Sequence, residues 1–272
     1  MKPPFAYYGG KTGLARRIVD LLPPHQHYVE PFAGSLAVLL AKPPAPMETV
    51  NDLDGDLMHF WRVLRDRPAE LIRACALTPH SRAEYQTAYK LAEDELERAR
   101  RVWVRISQGR TGTLARTGWR FYIDPAGSST SMPGYLAGYV ERMASAAQRL
   151  ARVSLECRPA LELIEAYGSC PDVLLYVDPP YLGQTRTGTN YRHEMSSERE
   201  HRKLAEALKG CRAAVVLSGY HSPLYAELYR DWHVTSLASA TAQGGTWSPR
   251  TEALWSNRPP QGSLFDHVEV AS

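Results

Sequence analysis

The chain has 272 residues, 44% of them hydrophobic and 22% charged, with a formal net charge of +3. This is an ordinary composition for a soluble globular protein, long enough to bury a large α/β core, and so mild a charge names no partner. The four cysteines, Cys75, Cys157, Cys170 and Cys211, lack C-x-x-C pairing and nearby histidine spacing, which argues against a zinc site or disulfide framework and fits a reducing cytoplasm. MKPPFAYYGGK at the start has no apolar h-region, and no run approaches the ~20 apolar residues of a membrane span, so a soluble, unexported protein is expected.

From the N-terminus, GKT at 10–12 invites a phosphate-loop reading, but the first glycine of G-x-x-x-x-G-K-T would fall on Phe5 and no strand precedes it. Strand candidates follow at 28-YVEPF-32, 47-METVN-51, 153-VSLEC-157, 173-VLLYV-177, 213-AAVVLSGY-220, 232-WHVTSL-237 and 252-EALWSN-257. Helical patterns separate several of them, which predicts an α/β fold with a parallel sheet. Leu57, Phe60, Trp61 and Leu64 stand at i, i+3, i+4 and i+7, one face of a helix. Ser81 with Glu84 and Ser197 with Glu200 have capping-box spacing, and Ser222-Pro223 reads as N-cap and first helical residue. The alternation breaks over 65–152, where helical stretches at 81–103 and 133–150 flank a Gly/Thr/Arg-rich loop. This predicts a discontinuous core, 1–64 plus 153–272, carrying an inserted, mainly helical lobe.

Ligands of open α/β sheets bind beyond the carboxyl ends of the strands, so polar residues just after strands are the ones to weigh. In 28-YVEPFAGSLAVLL-40, Glu30 ends a strand, and Gly34 and Ser35 are expected to open a helix whose N–H groups can receive a carboxylate. In 51-NDLDGDL-57, Asp52 is placed to accept ribose hydroxyls, or else Asp52 or Asp54 caps the following helix. In 173-VLLYVDPPYLGQT-185 a buried run ends on Asp178. Pro179 and Pro180 hold the chain extended and remove donors, leaving an acceptor-only nook beside Tyr181. Such a nook suits an amino group on an aromatic ring: taking both its hydrogens while a ring stacks favours the geometry in which the nitrogen lone pair can attack.

The ordered set YYGGK (7–11), YVEPFAGS (28–35), NDLDGDL (51–57) and VDPPY (177–181) resembles the Dam-like DNA adenine methyltransferases, with TRTGTNYRHEM, LSGYHSPLY and RTEALW similar to the phage and prophage branch. The resemblance implies a Rossmann-like S-adenosylmethionine methyltransferase sheet, its last strand (252–257) antiparallel, and 65–152 as the target-recognition domain. It implies methyl transfer from S-adenosylmethionine to the exocyclic N6 of a flipped adenine in double-stranded DNA. Asp178, Pro179, Pro180 and Tyr181 would hold the base; Glu30, Pro31, Phe32, Gly34, Ser35 and Asp52 would line the cofactor, and Tyr7, Gly9, Gly10 and Lys11 would close the pocket. Leu36 stands where the family often has a second glycine, and the family's aspartate near 157–164 is missing, so the contact to the cofactor's adenine stays unassigned.

Residues 98–120 hold seven arginines and no acid. Arg110, Arg116 and Arg120 are expected on DNA, whereas Arg98 to Arg101 read mainly as a solvated helix face; Trp119 is either a stacking residue or a packing anchor. Arg186 and Tyr191 are candidates to order over the bound nucleotide. No histidine shows metal spacing and the chemistry needs no metal, so a monomer without metal, working in the cytoplasm of a bacterial or phage-infected cell, is expected. An RNA methyltransferase and a catalytically silent DNA-binding descendant are the alternatives.

Overall fold

The computed structural model describes residues 1–123, 130–181, 195, 197–243 and 246–259, the side chains of 239–250 excepted. Its strands are β1 (His27–Glu30), β2 (Met47–Asn51), β3 (Ser154–Glu156), β4 (Val173–Val177), β5 (Ala214–Gly219), β6 (His233–Gln243) and β7 (Thr246–Ser256). They form one sheet in the order β3-β2-β1-β4-β5-β7-β6. The first five are parallel, and β7 runs antiparallel between β5 and β6. The carboxyl ends of the parallel strands therefore share one edge.

The central position of β4 follows from its sequence. All five of its residues are buried, and because side chains alternate across a strand, an unbroken apolar run needs cover on both faces. Leu174 and Tyr176 enter one apolar cluster with Tyr28, Val216 and Leu254; Val173, Leu175 and Val177 enter the other with Val29, Leu217 and Trp255. The second cluster is closed by Leu163 of α9 (Ala160–Gly168), Leu204 of α10 (Glu198–Lys209) and Leu228 of α11 (Pro223–Leu228). The first is closed by Ile18 of α1 (Ala15–Asp20), Leu39 of α2 (Ala37–Ala41) and Trp61 of α3 (Gly55–Asp66).

Between α3 and β3 lie α4 (Pro68–Ala76), α5 (Arg82–Thr87), α6 (Glu95–Gln108), α7 (Met132–Val140) and α8 (Met143–Leu150). Leu71, Trp103, Met143 and Leu150 from these helices pack into the same cluster as Trp61. The expected 81–103 helix is two helices, because Asp94 accepts a hydrogen bond from Glu97 N at 2.7 Å and starts α6 afresh. The 133–150 stretch likewise divides into α7 and α8, and α4, opened by Pro68, was not anticipated. Ser197 and Glu200 form the full capping box on α10, whereas Ser81 caps α5 from one side only. The β6–β7 hairpin outruns the expected 232–237 and 252–257. Its outer half, where Pro249 pairs with Ala240, extends past the β5 pairing at 253–256, and a proline missing its N–H is tolerated in a strand with one side free.

Candidate active site

Glu30 ends β1 as a buried carboxyl that accepts the Tyr28 hydroxyl at 2.9 Å. Burial, partly relieved by that bond, lifts its pKa to about 8. Beyond Pro31 and Phe32 the chain turns sharply: Gly34 has φ +47 and Leu36 φ 57, the left-handed region that a leucine rarely enters. A Cβ on Gly34 would stand 3.3 Å from the Tyr7 ring, a tight approach that adds to the preference for glycine set by its positive φ. The expected helix opening at Gly34 and Ser35 is corrected. The helix starts at Ala37 and has five residues, and the Gly34 N–H is already donated to Asp52 Oδ2 at 3.0 Å.

Of the two acids, Asp54 takes the capping role. Asp54 Oδ1 accepts from Asp56 N and Leu57 N and caps α3. Asp52 instead accepts from Gly34 N and Asp54 N, both at 3.0 Å, and so ties the end of β2 to the turn after β1. Asn51 completes the frame: its amide donates to Pro31 O and Arg158 O, and its oxygen accepts from Arg158 N. The sequence reading had passed over Asn51.

One cavity of about 410 Å³ opens at this edge. Tyr7, Gly9, Gly10, Lys11, Glu30, Pro31, Phe32, Gly34, Ser35 and Asp52 all line it, and Asp178 and Pro180 join them from β4. Pro179 and Tyr181 are not among its lining residues; Pro179 is buried, and the Tyr181 ring stands edge-on to Tyr220 at 4.6 Å. Leu53 and Leu161, two exposed apolar side chains, flank the cavity together with Pro159, a wall that sequence reasoning left unassigned.

The Asp178 end holds more charge than expected. The nook was anticipated as acceptor-only, yet the Lys11 ammonium donates to Asp178 Oδ1 at 2.7 Å and Oδ2 at 2.8 Å, and to Gly9 O at 3.0 Å. Glu252 on β7, only 4% exposed, lies 3.6 Å from the same ammonium. Its Oε1 accepts from Ser218 at 2.7 Å and from the Tyr181 hydroxyl in a shorter contact, while that hydroxyl stands 3.2 Å from Asp178. Two carboxylates thus share one ammonium. Burial raises the Asp178 pKa to about 6; Lys11 holds it down and Glu252 adds to the rise. Burial works against the charge of Lys11, but Asp178 and Glu252 outweigh it, and its pKa stands above the ordinary value.

The arginine-rich stretch separates into two kinds of residue. Arg98 and Arg105 pair with Asp56 at 2.8 Å, Arg100 with Glu84 and Glu97, and Arg101 with Glu97; Arg98 stays exposed as expected of a solvated face, whereas Arg100, Arg101 and Arg105 are largely covered in these pairs. Gly109 and Trp119 form an antiparallel bridge, and the turn between them carries Arg110 and Arg116. Arg116 lies over the Tyr89 ring, Arg120 over Tyr122 and Tyr135, and Arg110 Nε reaches Trp119 O at 3.4 Å. Trp119 stacks between His80 and Phe121, with Arg82 over both Trp119 and Phe121. This turn touches the N-terminal segment through Tyr8 N donating to Gly112 O at 3.0 Å. Arg186 and Tyr191 lie outside the described residues. Among the described residues no group of histidine, cysteine and acidic side chains is placed to hold a metal.

Residues 7–243 match the family model of the D12 class N6 adenine-specific DNA methyltransferases. The type II methyltransferase M1.LlaDCHI of Lactococcus lactis subsp. cremoris is 27% identical over 278 residues, covering 94% of this chain and 95% of that protein. The DNA N-6-adenine-methyltransferase of Escherichia phage P1 is 26% identical over 246 residues, 84% of this chain but 31% of that longer protein. Among solved structures, the precorrin 8W decarboxylase of Methanobacterium thermoautotrophicum covers 94% of this chain and 98% of that one at 10% identity and a TM-score of 0.40, too distant to argue from.

Proposed function

Because the chain belongs to the D12 class N6 adenine-specific DNA methyltransferases, which act with S-adenosylmethionine, we propose that Asp178, Pro179, Pro180 and Tyr181 receive a flipped adenine while Gly34 and Asp52 hold the cofactor. The observation that carries this reading is the single cavity lined by both Asp52 and Asp178, each just beyond the carboxyl end of a parallel strand. The cavity fits such a cofactor. Gly10 and Gly34 let the cavity wall close tightly against Tyr7 and Ser35, Asp52 offers lone pairs to hydroxyls, Glu30 faces the cavity as a titratable acid, and Leu53, Pro159 and Leu161 give an aromatic ring apolar walls.

When bound, S-adenosylmethionine supplies a methyl group on a positively charged sulfur that leaves as a neutral thioether. The protein's part is alignment. A carboxylate has about four lone-pair sites, so Asp178 can keep its two bonds from Lys11 and still accept an adenine N6 hydrogen. The Pro179 carbonyl takes the second hydrogen, which turns the nitrogen lone pair toward the methyl group. As the N–C bond forms, one N6 proton is lost, and Asp178 is the acceptor beside it.

Residues 65–152 act as the target-recognition domain in this reading, with Arg110, Arg116 and Arg120 on phosphates or base edges and Trp119, stacked on His80 and Phe121 beneath Arg82, as the packing anchor of their turn. No helix among the described residues is long and apolar enough to cross a membrane. A cytoplasmic monomer acting on double-stranded DNA is the simplest setting. The test incubates the protein with labelled S-adenosylmethionine and a random duplex pool, with an RNA pool in parallel, and maps the modified bases. N6-methyladenine in the duplex within a fixed sequence context is expected; label in RNA alone, or cofactor binding without transfer, would overturn the reading.

A further inference from the structure

Glu252 is a buried acid that the methyl-transfer chemistry above does not use. It sits on β7, the antiparallel strand, while every other member of the site comes from the parallel half of the sheet or the N-terminal segment. Each of its partners is part of the site or supports it. Ser218, at the end of β5, donates to Oε1 at 2.7 Å. The Tyr181 hydroxyl has one hydrogen, and of the two carboxylates in reach Glu252 is the nearer. The Lys11 ammonium spends its three hydrogens on Gly9 and Asp178 and meets Glu252 as a charge at 3.6 Å. A buried carboxylate is costly unless paired and bonded, and here Lys11 supplies the charge and Ser218 and Tyr181 supply the bonds.

We infer that Glu252 is a positioning residue of the methyl-transfer site: it fixes the Tyr181 ring through its hydroxyl, and its charge, sharing Lys11 with Asp178, sets how readily Asp178 takes up a proton. The inference rests on the function proposed above. The ring consequence follows from geometry. With its hydroxyl anchored on β7 and its edge against Tyr220, Tyr181 presents one face in a single orientation. The charge consequence follows from the neighbourhood. Asp178 is faced by Lys11 from the N-terminal segment, Glu252 from β7, Glu30 from β1, Tyr176 from β4 and Tyr181 from its own loop, with Tyr220 beside Lys11. Among these, Lys11 favours its anion and Glu252 opposes it.

Glu252→Gln keeps the side-chain volume and removes the charge, and Tyr181→Phe keeps the ring and removes the hydroxyl. The acid limb of kcat/KM, which reports the free enzyme, is expected near pH 6 in the wild type. In Glu252→Gln it should move to lower pH, because the anion that raises the Asp178 pKa is gone. In Tyr181→Phe it should move little, because the hydroxyl hydrogen goes to Glu252 and both charges that act on Asp178, Lys11 and Glu252, remain. kcat should fall about 10-fold or more in each variant, and the double variant should lose less than the product of the two, since both act through one bond. A residue that merely packs β7 would leave the limb where it is. An acid limb at wild-type pH in Glu252→Gln overturns the inference whatever happens to kcat. Should that variant not fold, a Tyr181→Phe variant with kcat within about twofold of the wild type overturns the inference, since the hydroxyl bond to Glu252 would then fix nothing. A wild type that transfers no methyl group to adenine defeats the proposed function first, so the two failures are distinguishable.

Discussion

The two ends of the cavity hold their carboxylates by different means. Asp52 is gripped by backbone N–H groups of Gly34 and Asp54, dipoles that carry no net charge and that lie two residues away or across one strand. Asp178 is gripped by an ammonium, next to a second carboxylate, with partners drawn from positions 11, 181 and 252. Backbone donors fix the orientation of a carboxylate and suit a site that binds. Burial, with Glu252 adding to it and Lys11 opposing it, leaves Asp178 with a pKa of about 6, close to where protons are exchanged, which suits a site that reacts.

This contrast is broken most forcefully by Asp178→Ala. Methyl transfer should fall by about 10³-fold, while cofactor affinity measured by calorimetry stays within about twofold. An equal loss of both would mean that the ends are not separate. Asp52→Ala should do the reverse, weakening cofactor binding about 10-fold, in line with ~1–1.5 kcal/mol for a lost hydrogen bond, with kcat at saturating cofactor near the wild-type value.

Glu30 sharpens the comparison through pH. Its folded-state pKa of about 8 lies above its ordinary value of 4.5, so the folded protein holds the proton more tightly than the unfolded chain. The stability this contributes is full below pH 4.5 and is lost as pH rises through 8. Thermal melts of the wild type from pH 5 to 9 should therefore decline more than those of Glu30→Gln, and matching slopes would refute the raised pKa. The smallest expected effect lies in the lobe. Reversing Arg116 or Arg120 should reduce the salt dependence of DNA binding by about one unit of slope, whereas Arg98→Ala should leave it unchanged, because Arg98 is committed to Asp56. Equal slopes in all three would remove Arg116 and Arg120 from the DNA.

What was legible in the sequence follows the same division. Every strand announced itself because apolar runs are local, and Asp52, Gly34 and Asp178 could be found because each follows such a run. The outer half of the hairpin was missed since TAQGGTWSPR carries neither alternation nor an apolar run. The start of α6 was readable after all, as Asp94 with Glu97 has capping spacing, and Pro68 marked the start of α4. The Lys11–Asp178–Glu252 cluster left no such trace. Nothing local to RTEALW says that its acid will meet a lysine 241 positions earlier (252 − 11) once the sheet is assembled. The same limit applies to arginines: their place on a helix sets Arg98 to Arg101 apart from Arg110, Arg116 and Arg120 in the sequence, but only the folded chain shows that Asp56, Glu84 and Glu97 hold them.

Leu36 shows how the chain manages without one of its family's usual glycines. Its backbone sits in a left-handed turn that costs roughly 1–2 kcal/mol for a side chain, and the side chain is wholly enclosed by the first apolar cluster. The bend that shapes the cofactor end is therefore clamped from beneath by hydrophobic packing instead of being permitted by a missing Cβ. Thinning that packing, for example at Leu39 or Phe60, should loosen the rim of the cleft from a distance, making methyl-donor affinity an unexpectedly sensitive gauge of the protein's interior.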